Sequence, residues 1–84
     1  MSQFTIYSMN GCNYCDKVKQ LMQLTNQQYV VYTLDEHFTI EEFNGEFDTY
    51  QFPQVVADLP KGERLHIGGA SEVAVYFKEN NLAN

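Results

Sequence analysis

The two cysteines of the chain stand three positions apart, in the segment Cys12-Asn13-Tyr14-Cys15, and the sequence holds no others. A bridge closing so short a loop restricts the unfolded chain little, on the order of 2 kcal/mol in the chain-entropy model. Small secreted domains instead join distant segments with several bridges. In a reducing compartment such a pair is typical of a catalytic or a metal-binding site. The pair therefore indicates a catalytic or metal-binding site and not a disulfide that stabilises the fold.

The length of the chain allows one compact domain, which we expect to span residues 1–84. Hydrophobic residues make up 44% of the sequence, with six Tyr and six Phe, and this is ample for a globular core. We therefore expect the chain to fold alone, as a monomer.

The charge of the chain argues against two classes of partner. Five Lys and Arg against eleven Asp and Glu give a formal net charge of −6, which repels nucleic-acid phosphates and anionic lipid surfaces. The first residues lack the basic and apolar regions of a signal peptide, and no apolar run reaches the roughly eighteen residues of a membrane span. We expect a cytoplasmic protein that binds neither nucleic acid nor membrane.

The first half of the chain predicts a βαβ unit. Phe4–Ser8 is rich in β-formers and is broken at Met9–Gly11, and the cysteine motif opens an amphipathic helix. Tyr29–Leu34 predicts the second strand, and its nearly continuous apolar character suits a strand covered on both faces. The apolar stripe of the helix holds Val18, Leu21, Met22 and Thr25.

A short helix is predicted next, because Thr39 and Glu42 form a capping-box pattern before Ile40, Phe43 and Phe47 at helical spacing.

The last third predicts a hairpin and a helix. Gln54–Asp58 and Arg64–Ile67 are the arms, joined by a turn at Leu59–Gly62. Gly68-Gly69 ends the second arm, and we expect Ser71 to cap the final helix. The order of elements predicts an α/β fold. The inward-facing residues of the final helix are Val73, Tyr76 and Phe77.

Cys12 is the candidate nucleophile because it stands at a helix start. A free cysteine has a pKa of about 8.5, whereas unpaired N–H groups and the helix dipole stabilise a thiolate at this position. Cys15 lies one turn later on the core-facing stripe and is the candidate resolving thiol. Side chains three apart on a helix have Cβ atoms roughly 5–6 Å apart, so a small adjustment closes the disulfide.

Two other interpretations of the pair stay open. One is a zinc site completed by His37 and His66, although their spacing does not resemble the short H-x3–5-H spacing of a finger. The other is an inert structural pair. A C-x-x-C at a helix start after a strand favours redox chemistry over both, so we assign no metal ligands.

The order and spacing of five segments resemble those of the glutaredoxins, from Phe4 to about Phe77. The resemblance implies a thioredoxin-like fold, a four-stranded mixed sheet flanked by three helices, with glutathione as co-substrate and no bound cofactor. The chain looks similar to the short bacterial and phage-encoded members. The segments are Ile6-Tyr7, Gly11-Cys12-Asn13-Tyr14-Cys15, Lys19 with Leu21-Met22, Pro53-Gln54-Val55, and His66-Ile67-Gly68-Gly69.

The resemblance also implies a glutathione groove. Tyr14 matches the aromatic residue beside the bound thiol, unless it merely packs the helix start. Pro53 matches the cis-proline of the family, which leaves the backbone of Phe52 free to pair with the cysteinyl segment of glutathione. A glycine-led turn before the last helix, which alone reads as a plain turn, matches the site of the γ-glutamyl carboxylate. Its residues are Gly69, Ala70, Ser71 and Glu72. Ser71 would add a hydroxyl donor, and Glu72 would accept from the ammonium of the ligand.

Three departures from the family pattern bear on this groove. Met9 stands where many members have a lysine, a cation that favours the thiolate and meets the glycyl carboxylate of glutathione. Asn13 replaces the usual proline, and Gln51-Phe52 replaces the usual Thr-Val before the proline.

The sequence thus predicts a glutathione-dependent thiol–disulfide oxidoreductase. Its Cys12/Cys15 cycle would reduce protein disulfides and glutathione mixed disulfides, with ribonucleotide reductase among the candidate partners. One alternative is a redoxin reduced by thioredoxin reductase that serves as hydrogen donor to ribonucleotide reductase. Another is a non-catalytic module that carries zinc, or an iron–sulfur cluster on Cys12 of a glutathione-assisted dimer.

Overall fold

A computed structural model describes residues 3–82 as a four-stranded sheet with three helices. Among those residues, no helix has the length and apolar character needed to cross a bilayer. The elements are β1 (Gln3–Ser8), α1 (Asn13–Leu24), β2 (Gln28–Thr33), α2 (Ile40–Phe47), β3 (Gln54–Asp58), β4 (Arg64–Gly68) and α3 (Ala70–Glu79).

The sheet is mixed and its strands run in the order β2-β1-β3-β4. β1 lies parallel to β2 and antiparallel to β3, and β4 closes the predicted hairpin with β3. Ile6 in the centre of β1 therefore has Val31 and Val55 as its neighbours. The α/β fold predicted from the order of elements and the thioredoxin-like fold implied by the family resemblance are both confirmed.

One face of the sheet packs against α1 and α3 and forms the main core. The rings of Phe4 and Phe77 meet there with centroids 5.4 Å apart, and both side chains are fully buried. Burying a large apolar side chain contributes about 1.5–3 kcal/mol, so this layer holds the two helices on the sheet. Its buried members are Phe4, Ile6, Val18, Met22, Val55, Ala57, Val73 and Phe77.

The opposite face of the sheet is covered by α2 through aromatic side chains. Tyr7 alternates with Ile6 along β1 and so points to this side, where its ring meets those of Phe43 and Phe47 at 6.5 and 4.9 Å. The predicted capping box is confirmed, with Thr39 Oγ1 accepting from the Glu42 amide and Glu42 Oε1 accepting from the Thr39 amide.

The prediction that the second strand is covered on both faces is wrong. β2 is an edge strand, and its outer side chains Val30 and Tyr32 are 37% and 41% exposed. Its apolar run does not mark burial, because α2 covers only part of the face toward which these two side chains point.

The predicted cap of the last helix is also wrong. α3 begins at Ala70 with Gly69 as its N-cap, which puts Ser71 inside the first turn. Gly68 has φ +125°, a conformation that favours glycine, and it turns the chain into the helix earlier than a serine cap would.

Candidate active site

Cys12 is the N-cap of α1, where the strand–turn–helix arrangement places it. Its Sγ accepts a hydrogen bond from the Cys15 amide at 3.1 Å, and its carbonyl accepts the first helical bond from Asp16. In the reduced protein the same amide and the positive end of the helix dipole stabilise a thiolate on Cys12.

The two cysteines differ in exposure, as the helical stripe predicts. Cys12 is half-buried, whereas Cys15 is fully buried beneath the first turn of α1. They are joined by a disulfide with Cα atoms 5.3 Å apart, within the usual range. This geometry lets Cys12 meet a substrate while Cys15 reaches only Cys12.

The charges near Cys12 come from the first turns of α1. Asp16 forms a long ion pair with Lys19, at 3.8 Å, and Lys17 Nζ lies 5.2 Å from the centroid of the Tyr14 ring. Sequence reasoning missed Lys17, although its spacing from Tyr14 on a helix was the available signal. Lys17 therefore brings a cation to the Tyr14 side of the motif, whereas Met9 supplies none.

A groove of about 300 Å³ runs beside Tyr14 and brings together all seven residues predicted to bind glutathione. Its size suits a small ligand, although it is at the lower end of the usual range. One wall is the segment before β3 and the other is the N-terminus of α3. The lining residues are Tyr14, Gln51, Phe52, Pro53, Gln54, Gly69, Ala70, Ser71 and Glu72.

The segment before β3 is fixed by a polar network that sequence reasoning missed. The Phe52–Pro53 peptide bond is cis, as the family resemblance implies. The Gln54 amide nitrogen donates to the Gln51 carbonyl at 3.0 Å, and its oxygen lies 2.7 Å from His66 Nε2. Because Gln54 is only 7% exposed, these bonds replace water and lock the loop to β4. A polar residue directly after Pro53 was the only signal.

The N-terminus of α3 is occupied by a side chain of its own helix. Glu72 Oε1 accepts from the Gly69 amide at 2.9 Å, and its other oxygen accepts from the Ser71 hydroxyl at 3.4 Å. A Cβ on Gly68 would lie 3.0–3.2 Å from the Glu72 side chain. The two glycines therefore permit Glu72 to close over the backbone here.

The two histidines form hydrogen bonds with different residues, and neither bonds a cysteine. His37 Nδ1 accepts from the Thr33 amide at 2.9 Å, whereas His66 bonds Gln54. Within residues 3–82, no three His, Cys, Asp or Glu side chains gather as a metal site requires. The zinc alternative gains no support from this arrangement.

The sequence profile of the Glutaredoxin family matches residues 4–59, which is most of the chain and includes both cysteines and Pro53. The chain belongs to the glutaredoxin family. A search of curated proteins finds no match to it.

Solved glutaredoxin structures share the fold over nearly the whole chain. Glutaredoxin 1 of Francisella tularensis, solved with cacodylate, is 25% identical with a TM-score of 0.77, over 95% of this chain and 96% of that one. Reduced Escherichia coli glutaredoxin is 28% identical with a TM-score of 0.71, over 96% and 99%. A buckwheat glutaredoxin–glutathione complex is 22% identical with a TM-score of 0.74, over 96% and 73%.

Family, fold and motif together establish the general activity of this glutaredoxin. It is a thiol–disulfide oxidoreductase with a redox-active disulfide between Cys12 and Cys15. Family membership also confirms the resemblance drawn from the sequence.

Proposed function

We propose that this glutaredoxin uses glutathione as its electron donor and reduces both protein disulfides and glutathione mixed disulfides. The observation that carries the proposal is the groove, in which the α3 N-terminus and the Phe52 backbone share one cavity with Tyr14, two residues from Cys12. The complex of the buckwheat relative with glutathione supports the same ligand. We also propose a cytoplasmic location, with ribonucleotide reductase among the target proteins.

The groove suggests how glutathione would lie. Its γ-glutamyl carboxylate would take backbone N–H groups at the start of α3 other than that of Gly69, which Glu72 already bonds, with its ammonium facing Glu72. Its cysteinyl segment would pair with the backbone of Phe52 like an added strand, and its sulfur would lie beside Tyr14. These local donors would bind an anion despite the net charge of −6.

Deglutathionylation needs only Cys12. Its thiolate attacks the glutathione sulfur of a mixed disulfide, the protein–glutathione S–S bond breaks, and the protein thiolate leaves and takes a proton. A second glutathione thiolate then attacks the glutathione sulfur held on Cys12. Oxidised glutathione leaves and the Cys12 thiolate is regenerated.

Reduction of a protein disulfide needs both cysteines. Cys12 attacks one sulfur and forms a mixed disulfide with the substrate, whose other sulfur leaves as a thiolate. The Cys15 thiolate then attacks the Cys12 sulfur, which releases the second substrate thiolate and closes the Cys12–Cys15 disulfide. Two glutathione molecules reduce that disulfide and leave as oxidised glutathione.

The two cysteine variants test this scheme. We expect Cys15→Ser to retain deglutathionylation and to lose reduction of protein disulfides, whereas Cys12→Ser loses both. The measurement is NADPH consumption coupled to glutathione reductase, with a glutathionylated peptide and a protein disulfide as substrates. Activity that survives in Cys12→Ser would overturn the assignment of the nucleophile.

Met9 favours a second candidate, reduction by thioredoxin reductase. Its side chain is 39% exposed beside the cysteine motif and offers no charge to the glycyl carboxylate of glutathione. Turnover of the same disulfide with glutathione and its reductase, or with thioredoxin reductase, separates the two. A negligible rate with glutathione and a substantial rate with thioredoxin reductase would select the second candidate.

A further inference from the structure

A second cavity, of about 310 Å³, opens on the α2 face of the sheet and is distinct in its lining from the glutathione groove. We call it the α2 pocket. The exposed ring of Tyr32 lies at its β2 side, with centroids 5.7 Å from both Tyr7 and His37. Its lining consists of aromatic rings, the imidazole of His37 and two carboxylates. The residues used below are Tyr7, Tyr32, Phe38, Phe43, Glu42 and Glu46.

The segment of sequence that contains α2 carries charge of one sign. From Gln20 to Pro60 the sequence contains no Lys or Arg, although this stretch is almost half of the chain. Six of the eleven acidic residues fall within residues 35–48, on α2 and the segments that flank it. They are Asp35, Glu36, Glu41, Glu42, Glu46 and Asp48.

The two carboxylates of the pocket have no cation of their own. The ion pairs among residues 3–82 join Lys19 to Asp16 and Arg64 to Asp58, so neither Glu42 nor Glu46 takes part in one. Glu42 uses Oε1 to cap α2, by accepting from the Thr39 amide.

Arg64 forms no ion pair with the carboxylates of the pocket, although it lines a neighbouring cavity with Glu46. Its Nε donates to Asp58 Oδ1 at 2.9 Å. The Tyr7 hydroxyl and then Asp58 raise the pKa of the Arg64 guanidinium, against the opposing effect of desolvation, so it stays charged. Its ion-pair partner is Asp58 and its other side-chain partner is the Tyr7 hydroxyl, so it forms no ion pair with Glu42 or Glu46.

Aromatic faces beside unpaired carboxylates are the surroundings that a guanidinium prefers. A cation is attracted to the face of an aromatic ring, and the flat guanidinium also stacks on it while bonding a carboxylate through two N–H groups. We propose that the α2 pocket binds an arginine side chain from a basic segment of the proteins that this glutaredoxin reduces. The acidic surface around the pocket is complementary to such a segment.

The ring of Phe52 connects the α2 pocket to the glutathione groove. Phe52 lines the groove, and its ring also packs against those of Phe43 and Phe38, with centroids 4.1 and 6.2 Å apart. A substrate whose disulfide lies at Cys12 can therefore extend across Phe52 toward the pocket. This part of the inference rests on the proposed function, because it assumes that the substrate enters by the groove.

Paired peptide substrates test the proposal. Each pair carries a glutathionylated cysteine and differs only in one residue, arginine or its neutral isostere citrulline. The separation between the cysteine and the varied residue ranges from one to about ten positions. An extended chain spans about 3.4 Å per residue, so this range covers the longest dimension of the molecule, 34 Å. We expect kcat/KM to favour the arginine peptide about tenfold at the best spacing.

Charge-matched variants show whether the pocket is responsible. We expect Glu42→Gln/Glu46→Gln, in which the new amide oxygen can still cap α2, to lower the preference for arginine to less than about twofold. Tyr32→Leu should lower it partly. The control Glu63→Gln/Glu79→Gln removes the same charge elsewhere and should keep the preference. An equal loss in this control, or no preference in the parent protein, overturns the proposal.

A binding measurement separates this proposal from the proposed function. A cysteine-free arginine peptide is titrated into the protein while the resonances of Tyr32 and Phe38 are followed by NMR, with the citrulline peptide as control. Shifts specific to arginine support the pocket even if glutathione proves to be the wrong reductant. Equal shifts with both peptides, or none, overturn the pocket whatever the reductant.

Discussion

The carboxylate of Glu72 lies on the backbone amide of Gly69, with Oε1 2.9 Å from the nitrogen. This bond satisfies one of the unpaired N–H groups at the start of α3 from within the helix. The side chain also lines the predicted glutathione groove. One residue thus caps the helix and places a negative charge where the ligand's ammonium is expected.

Substitutions of Glu72 separate these two roles. We expect Glu72→Gln to keep the cap, since an amide oxygen also accepts, and to raise KM for glutathione several-fold through loss of charge. Glu72→Ala should raise KM similarly and also destabilise the fold by about 0.5–2 kcal/mol, the usual contribution of a cap. Steady-state kinetics and urea denaturation measure the two effects. Glu79→Gln, which removes a charge from the other end of α3, should change neither.

His66 supports the groove indirectly, because it bonds the side chain of Gln54, which lines the groove. His66→Ala leaves the amide oxygen of a buried side chain without its partner, which costs about 1–3 kcal/mol. We expect denaturation to show that loss in the free energy of unfolding. KM for glutathione should rise, whereas kcat for a substrate that does not bind in the groove should change little. His37→Ala is the control because its bond is to Thr33, and a similar rise in KM there would contradict this role for His66.

Met9 offers a gain-of-function test. Met9→Lys places a cation beside Cys12, which favours its thiolate and attracts the glycyl carboxylate of glutathione. We expect faster alkylation of Cys12 by iodoacetamide near neutral pH and a KM for glutathione about threefold lower. Met9→Leu controls for side-chain packing and should leave both unchanged. If lysine and leucine behave alike, the residue at this position does not set glutathione affinity.

Local signals account for the parts of the fold that the sequence predicted well. The capping box at Thr39 and Glu42 involves neighbours on one helix turn, and the bounds of β3 coincide with the predicted Gln54–Asp58. Ser71 misled because a serine before a helix resembles a cap, whereas a glycine cap such as Gly69 has no side chain to recognise.

The features that the sequence did not predict depend on packing between distant segments. The run Tyr29–Leu34 fits a buried strand or an edge strand equally well, and only the order of the strands decides between them. The bond between Gln54 and His66 and the α2 pocket likewise join residues from separate elements. The groove residues were found through the family resemblance, and no pattern of spacing would have joined Tyr14 to Glu72.

Phe43 is the residue through which α2 supports the groove. It is 2% exposed, and its ring lies 4.1 Å from that of Phe52. Phe43→Leu removes this ring pair but keeps an apolar side chain, so we expect a loss of about 1–2 kcal/mol in the free energy of unfolding. Because Phe52 then loses its support, KM for glutathione should rise about twofold to fivefold, which corresponds to about 0.4–1 kcal/mol and is comparable with one such aromatic pair.

Phe4→Leu is the matched control for Phe43→Leu. Phe4 is also fully buried and paired with an aromatic ring, that of Phe77 at 5.4 Å, but it lies on the α1/α3 face of the sheet. We expect a similar loss of stability with an unchanged KM. Equal increases in KM in both variants would mean that any weakening of the fold loosens the groove. An increase confined to Phe43→Leu would assign the support of Phe52, and hence the link between α2 and the redox site, to this one ring.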